Sequence, residues 1–339
     1  MSKSSSSISV GLPNIEAARD RIAGHVLRTP LVPCPSLSAL TGRAVHLKLD
    51  MLQATGAFKL RGATNAILAL DQAERARGVT CCSTGNHGRA VAYAAARLGL
   101  KAIICMSALV PRNKIAGIEA LGAEARIIGR SQDEADVEAR RLVADEGMVM
   151  IPPFDDPHII AGQGTCGLEI VEDLPAVDTV IVPLSGGGLI VGVAAAVKAK
   201  RPGARIVGVS MQQGAAMHES LRAGKPVAVE EGASLADSLG GGIGLDNRLT
   251  FAMCRDMIDQ TILVTEAQIA DGMRHLYREQ QLVCEGGAAV GASVLLNGMV
   301  ENLGETVAII VSGRNVDMDL FTRIVSGEDV DLAAETASG

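Results

Sequence analysis

The chain has 339 residues, of which 48% are hydrophobic and only 2% aromatic, with no Trp, four Phe and two Tyr. That length suits one large α/β domain or two interleaved ones, with a core of Ala, Val, Ile, Leu and Met, and it offers no ring surface on which nucleic-acid bases could stack. A net charge of −7 and a pI of about 5.5 give no general attraction to phosphate polymers, and no apolar run free of charge or Gly–Pro interruption reaches membrane-spanning length.

The start, MSKSSSSISV, lacks the apolar core of a signal peptide and is expected to be a frayed tail. Cysteines stand at 34, 81, 82, 105, 166, 254 and 284, an odd number with no C-x-x-C pair, which predicts a reduced, cytoplasmic protein. Short apolar runs predict strands over 44–50, 78–83, 101–107, 125–129, 148–152, 178–184, 205–210, 261–265 and 306–312. Helical patterns separate most of them, so the fold class is α/β with parallel sheets flanked by helices. Thr265 and Gln268 are spaced as a capping box for a helix running toward Glu279. The pairs Arg75–Arg77 and Arg140–Arg141 read as solvated helix faces. The strongest break is Pro152-Pro153 with Asp155-Asp156-Pro157. With a second crossing before Gly78, it divides the chain into a larger unit, 1–75 plus 155–339, and a smaller inserted unit, 76–154. The acidic stretch after Gly327 is expected to be loose.

Five segments could carry chemistry. Gly56-Ala57-Phe58-Lys59-Leu60-Arg61-Gly62 puts Lys59 at the start of a helix. The positive end of the macrodipole lowers a lysine pKa there and suits a nucleophile that condenses with a carbonyl; alone, it is an ordinary surface lysine. Ser83-Thr84-Gly85-Asn86-His87-Gly88, between a strand and a helix from His87 to Leu98, fits an anion site for a carboxylate or phosphate, or an N-capping turn. Ser185-Gly186-Gly187-Gly188-Leu189 opens a helix through Lys198, and its glycines let backbone approach a phosphate. Gly186, Gly188 and Gly192 also fit a dinucleotide loop, but the next strand ends at Ser210 without an acidic residue for a ribose. Ser312-Gly313-Arg314-Asn315 lies at the carboxyl end of a strand, where ligands of open α/β sheets bind. Glu285-Gly286-Gly287 is an anion or ring contact, or a Gly-rich helix start.

In their order and spacing, AFKLRGATNA, STGNHGRAVAYAA, PLSGGGLIVGVAAAVK, CEGGAAVG and IIVSGRNVD resemble the fold-type II pyridoxal 5′-phosphate (PLP) enzymes, the group of threonine dehydratase, serine racemase and tryptophan synthase β. The resemblance runs from about Ile15 to Val325 and implies two three-layer α/β/α domains, the smaller inserted in the larger, PLP as cofactor, and a homodimer. It implies that Lys59 holds the cofactor and moves the Cα proton, that Phe58 flanks the ring, and that Asn86 bonds the ring hydroxyl. Gly186, Gly187, Gly188 and Leu189 would hold the phosphate, Ser312 would face the pyridine nitrogen, and Glu285 would lie beside the ring. Ser83, Thr84, Asn86 and His87 would take the substrate carboxylate. PLP would serve as electron sink, and a neutral Ser312 favours prompt loss of a β-hydroxyl. KAIICMSALVPRNK, ADSLGGGIGLDNR and SGRNVDM further resemble the hydroxyectoine-utilisation dehydratases, with β-hydroxyaspartate dehydratases as the sister group.

Several positions depart from the family pattern. Ala57 stands for the usual Ser, and Thr84 for the second catalytic Ser of serine racemase. The stretch Ser210 to Ala216 carries no carboxylate where racemase-like enzymes bind a divalent cation, so no metal is expected there. Ser238 and Arg314 each replace a Gly near the expected cofactor and point to a substrate shape other than threonine. Competing readings are an amino acid racemase, a β-replacement enzyme, an NADPH-dependent reductase, and a non-catalytic cofactor-binding fold.

Overall fold

The computed structural model describes residues 10–110, 112–330 and 332. Of the segments expected to be loose, residues 1–9, 331 and 333–339 lie outside the described residues, while Glu328, just after Gly327, is held by Arg274 and Arg323. Val10, the last residue of the expected frayed start, is instead buried in the core.

Among the described residues, ten strands form two sheets. They are β1 (Leu31–Pro33), β2 (Ala44–Lys48), β3 (Val79–Cys82), β4 (Ala102–Met106), β5 (Glu124–Ile127), β6 (Val149–Met150), β7 (Thr179–Pro183), β8 (Arg205–Met211), β9 (Gln260–Val264) and β10 (Thr306–Ile310). The larger sheet has the order β1-β2-β10-β7-β8-β9 and the smaller β5-β4-β3-β6. All pairings are parallel except β1 with β2. The chain builds β1 and β2, leaves to make the smaller sheet, then returns for β7 to β10. The last strand, β10, is thereby inserted at the centre of the larger sheet, between β2 and β7. β1 was not expected. Its three residues lie among Pro30, Pro33 and Pro35, and an edge strand tolerates the missing donors.

The runs are apolar on both faces because helices cover both faces. Val180, Val182, Ala308 and Ile310 join the core under helices Pro157–Asp173 and Gly188–Lys200. Their neighbours Ile181, Val307 and Ile309 join the opposite core, under helices Glu266–Gln280 and Gly286–Leu296. The smaller sheet repeats the pattern: Cys81, Ile104 and Met106 pack under helix Asn86–Arg97, and Ile103 and Cys105 under helix Gln132–Glu146. With so few rings, each buried aliphatic side chain contributes about 1.5–3 kcal/mol.

The Thr265–Gln268 capping box is present, with reciprocal bonds of 3.3 and 2.9 Å. All seven cysteines are thiols. Arg140 and Arg141 lie on an exposed helix face, paired with Asp136 and Glu138. Arg75 is not simply solvated. It folds back to donate to the Leu68 and Leu70 carbonyls, satisfying the end of helix Lys59–Ala69.

Candidate active site

Lys59 is the first residue of helix Lys59–Ala69 and is half-buried. Its Nζ donates to the Pro153 carbonyl at 2.7 Å and lies 5.4 Å from the centre of the Phe58 ring. Withdrawal from water lowers its pKa to about 8. The helix start is held by a fully buried charge cluster. The Arg61 guanidinium clasps Asp50 with two bonds of 2.8 Å and Glu169 with bonds of 2.6 and 2.9 Å. Lys48 reaches the same Glu169 at 2.5 Å, and the Thr29 hydroxyl donates to Asp50 at 2.6 Å. Burial alone would push the Asp50 carboxyl up, but Arg61 and Thr29 hold it below its usual value. Two cations thus balance two anions, as buried charges require.

His87, in the first turn of helix Asn86–Arg97, is also buried. Its Nε2 bonds the Ile151 carbonyl at 2.8 Å. That bond fixes the Nε2–H tautomer and leaves Nδ1 buried without a partner. Burial, with the Lys59 charge nearby, lowers its pKa to about 3, so the ring is neutral at physiological pH. The side chain therefore offers no positive charge to a carboxylate; only its backbone N–H can donate to one.

Asn86, Glu285 and Asn315 form one network. Asn86 Nδ2 donates to both Glu285 carboxylate oxygens, at 2.9 and 3.1 Å. Asn315 Nδ2 donates to Asn86 Oδ1 at 2.6 Å and to the Thr55 carbonyl at 2.8 Å, while its backbone N–H reaches Glu285 at 3.2 Å. Burial pushes the Glu285 carboxyl up to about 7, against hydrogen bonds from Asn86, Ser238 and Asn315 that favour its charged form. Ser312, at the end of β10, is buried and its carbonyl accepts from Phe58 N–H at 2.9 Å. An Ala57–Gly313 bridge and an Arg314 N–H bond to the Gly56 carbonyl complete the stitch between these segments. Gly56 has φ +78°, and a side chain there would meet Asn315 Oδ1 at 2.6 Å.

The glycine loop faces Phe154, whose Cα would lie 3.0 Å from a Cβ on Gly188. Gly187 has φ +91°, and a Cβ on it would meet Cys254, Met217 and Thr250 at 2.9–3.0 Å, so glycine is needed twice over. The crossing segment anchors the start of helix Thr250–Met257, which abuts Gly187: Asp155 accepts from the N–H groups of Arg248, Leu249 and Thr250 at 2.8–2.9 Å.

Helix starts separate into two kinds. Asp71, Ser131, Asp156, Thr265 and Asp317 each cap the helix that follows them. The helices opening at Lys59, Asn86, Gly188 and Gly286 carry no side-chain cap. In the helices at Asn86 and Gly188 the first-turn N–H groups are available to a ligand, whereas at Lys59 and Gly286 some are taken, Leu60, Arg61 and Ala288 donating to the Ala57, Phe58 and Glu285 carbonyls.

The remaining expected residues fall around this centre. Ser83 and Thr84 are half-buried between β3 and the Asn86 helix, and their hydroxyls make no bond among the described residues. Ser238 is exposed, with its Oγ against Gly287 and near enough to Glu285 to favour its charged form. Leu189 is buried in the core. Arg314 is exposed and forms no ion pair among the described residues; the nearby Asp317 caps helix Met318–Val325. Three contributors went unread in the sequence. Pro153 and Ile151 act through carbonyls, which no residue type signals. Asn315 was visible inside its motif but carried no assigned role.

Comparison with known proteins places the chain in a family. The model of the pyridoxal-phosphate dependent enzymes matches residues 22–313. A Sinorhizobium fredii protein provisionally named a threonine dehydratase is 58% identical over 94% of this chain and 96% of its own length. An L-threonine ammonia-lyase of Thermotoga maritima is 41% identical over 94% of this chain and 78% of its own length. Maize serine racemase superposes with a TM-score of 0.88 at 34% identity, covering 93% of this chain and 96% of that one. The chain belongs to the pyridoxal-phosphate dependent enzymes, as a fold-type II, threonine dehydratase-like lyase whose cofactor is pyridoxal 5′-phosphate.

Proposed function

We propose that the chain is a dehydratase that converts a small β-hydroxy amino acid to a 2-oxo acid and ammonia. The observation that carries this is Lys59 itself: half-buried, at an uncapped helix start, with a lowered pKa and one carbonyl partner. The residues fit the cofactor. The uncapped helix start with three glycines, Gly186 to Gly188, and the Leu189 side chain turned into the core suits a phosphate, and Asn86 with the buried Ser312 suits the ring oxygen and nitrogen. Bound PLP supplies an electron sink for the substrate Cα. Lys59, neutral in about half the molecules near pH 8, takes the Cα proton, and the Pro153 carbonyl orients its amine. The backbone N–H groups of the Ser83–His87 turn hold the substrate carboxylate, with the Ser83 and Thr84 hydroxyls beside it. Loss of the β-hydroxyl and later hydrolysis release ammonia, so water leaves once and enters once.

The chain's KAIICMSALVPRNK, ADSLGGGIGLDNR and SGRNVDM segments support a hydroxylated diaminobutyrate skeleton, as in hydroxyectoine catabolism. One observation favours a second substrate. Arg314 is exposed and unpaired among the described residues, next to Asn315 of the site network. A guanidinium there suits a second carboxylate, as in 3-hydroxyaspartate, and disfavours a free side-chain amine. We place the enzyme in the cytoplasm as a homodimer, with residues 76–154 as the smaller, substrate-binding domain.

The test is direct. Purified protein is expected to be yellow, borohydride to fix the cofactor on Lys59, and Lys59→Ala to abolish keto-acid release. Normal turnover by Lys59→Ala would end the proposal. A screen over serine, threonine, the hydroxyaspartate diastereomers and hydroxydiaminobutyrate, with and without N-acetylation, identifies the substrate.

A further inference from the structure

We propose that Asn315 is a positioning residue that fixes the polarity of the Asn86 side-chain amide, so that the site always presents a hydrogen-bond donor to the group bound beside Asn86. The inference rests on the assignment of Asn86 to the cofactor's ring oxygen.

The Thr55 carbonyl is backbone and can only accept, and it lies 2.8 Å from one end of the Asn315 amide. That end must be the nitrogen. The same nitrogen has a second hydrogen, and it points at Asn86 at 2.6 Å. The near end of the Asn86 amide must then be its oxygen. Its nitrogen is thereby turned toward Glu285, a carboxylate that accepts. Each step constrains the next, from a backbone carbonyl to the Asn86 amide.

One N–H of Asn86 is left over. The two Glu285 oxygens belong to one carboxylate and subtend a much narrower angle at Nδ2 than its two N–H bonds make with each other. A single hydrogen is shared between them, and the second remains for a ligand. With Oδ1 occupied by Asn315, Asn86 has only a donor to give. A donor favours a ring oxygen without its proton, the form that conjugates with the ring system and absorbs at long wavelength.

The Glu285 carboxyl, whose pKa burial raises to about 7, can donate as well as accept and so can face either end of the Asn86 amide; Asn315 is therefore the residue to change. Asn315→Asp removes both donors and sets a carboxylate against the Asn86 oxygen, so the amide turns over. Asn315→Ala removes the constraint without adding charge. The readout is the visible spectrum of the PLP-loaded protein, normalised to bound cofactor. In Asn315→Asp the ratio of long-wavelength to near-ultraviolet absorbance is expected to fall about 2- to 10-fold, the size of one net hydrogen bond. Asn315→Ala is expected to give a smaller fall. A merely structural loss would lower the melting temperature and cofactor affinity but leave that ratio as in wild type. Asn86→Ala separates the two assignments. If it changes the spectrum while a folded, loaded Asn315 variant does not, the inference about Asn315 is overturned and Asn86 stands. If Asn86→Ala leaves the spectrum unchanged, both fall.

Discussion

Lys59 Nζ and His87 Nε2 donate to carbonyls only two residues apart, those of Pro153 and Ile151. The two side chains come from different helices, both of which pack into the core over the smaller sheet. They meet on the segment by which the chain returns from β6 to the larger sheet.

This pairing makes His87 a reporter of pH. Its pKa is lowered in the folded protein, from 6.5 to about 3, so the unfolded chain binds more protons below pH 6.5. Its stability contribution is full above pH 6.5 and is lost as pH falls toward 3. His87→Gln, which keeps a donor for Ile151, is expected to flatten the melting temperature over that range. An acid limb as steep as in wild type would contradict the neutral His87 described above.

Glu285 has the opposite sign. Its carboxyl is raised from 4.5 to about 7, so the folded protein holds that proton more tightly. The contribution is full below pH 4.5 and is lost as pH rises through 7. Glu285→Gln is expected to gain stability over wild type at pH 8 and to lose that advantage at pH 4.5, read by melting temperature at saturating PLP. An advantage independent of pH would show that the carboxyl is ionised throughout.

Arg61 is expected to tolerate nothing. Arg61→Met leaves Asp50 buried with only Thr29 for a partner, and should cost about 3–5 kcal/mol in denaturant titration. The unpaired Asp50 then has a raised pKa, so the loss should be larger at pH 8 than at pH 5. Arg61→Lys cannot fork to both carboxylates and should recover only part. A loss under 1 kcal/mol would mean the cluster relaxes by admitting water.

Arg314 separates the two substrate readings. Arg314→Ala is expected to raise KM for 3-hydroxyaspartate about 10- to 100-fold, the worth of a charge-assisted pair. KM for serine and threonine should stay within twofold, and a substrate with a free side-chain amine should improve. Equal effects on all substrates would remove Arg314 from recognition.

Much of this was legible because it depends on residue type and spacing. The alternation of Ile181 with Val180 and Val182 marks a strand covered on both faces, and Gly187 announces a backbone that no side chain could follow. β1 was hidden because prolines mask a short edge strand. The anchoring of Lys59 was hidden because Pro153 contributes only a carbonyl. Arg61 was read as part of a motif, but its partners Asp50 and Glu169 lie 11 and 108 residues away, and no local pattern connects them.

The central place of β10 has a consequence for synthesis. At 5–20 residues per second, β2 leaves the ribosome on the order of 10–50 s before the strand that must pair with it. Until then its inner edge stays open to other chains. Lys59 is also made early, but Ser312 and Asn315 emerge just behind β10. A nascent or truncated chain therefore carries Lys59 without the segment that closes over it, and on the proposed function it is expected to be inactive until the sheet closes.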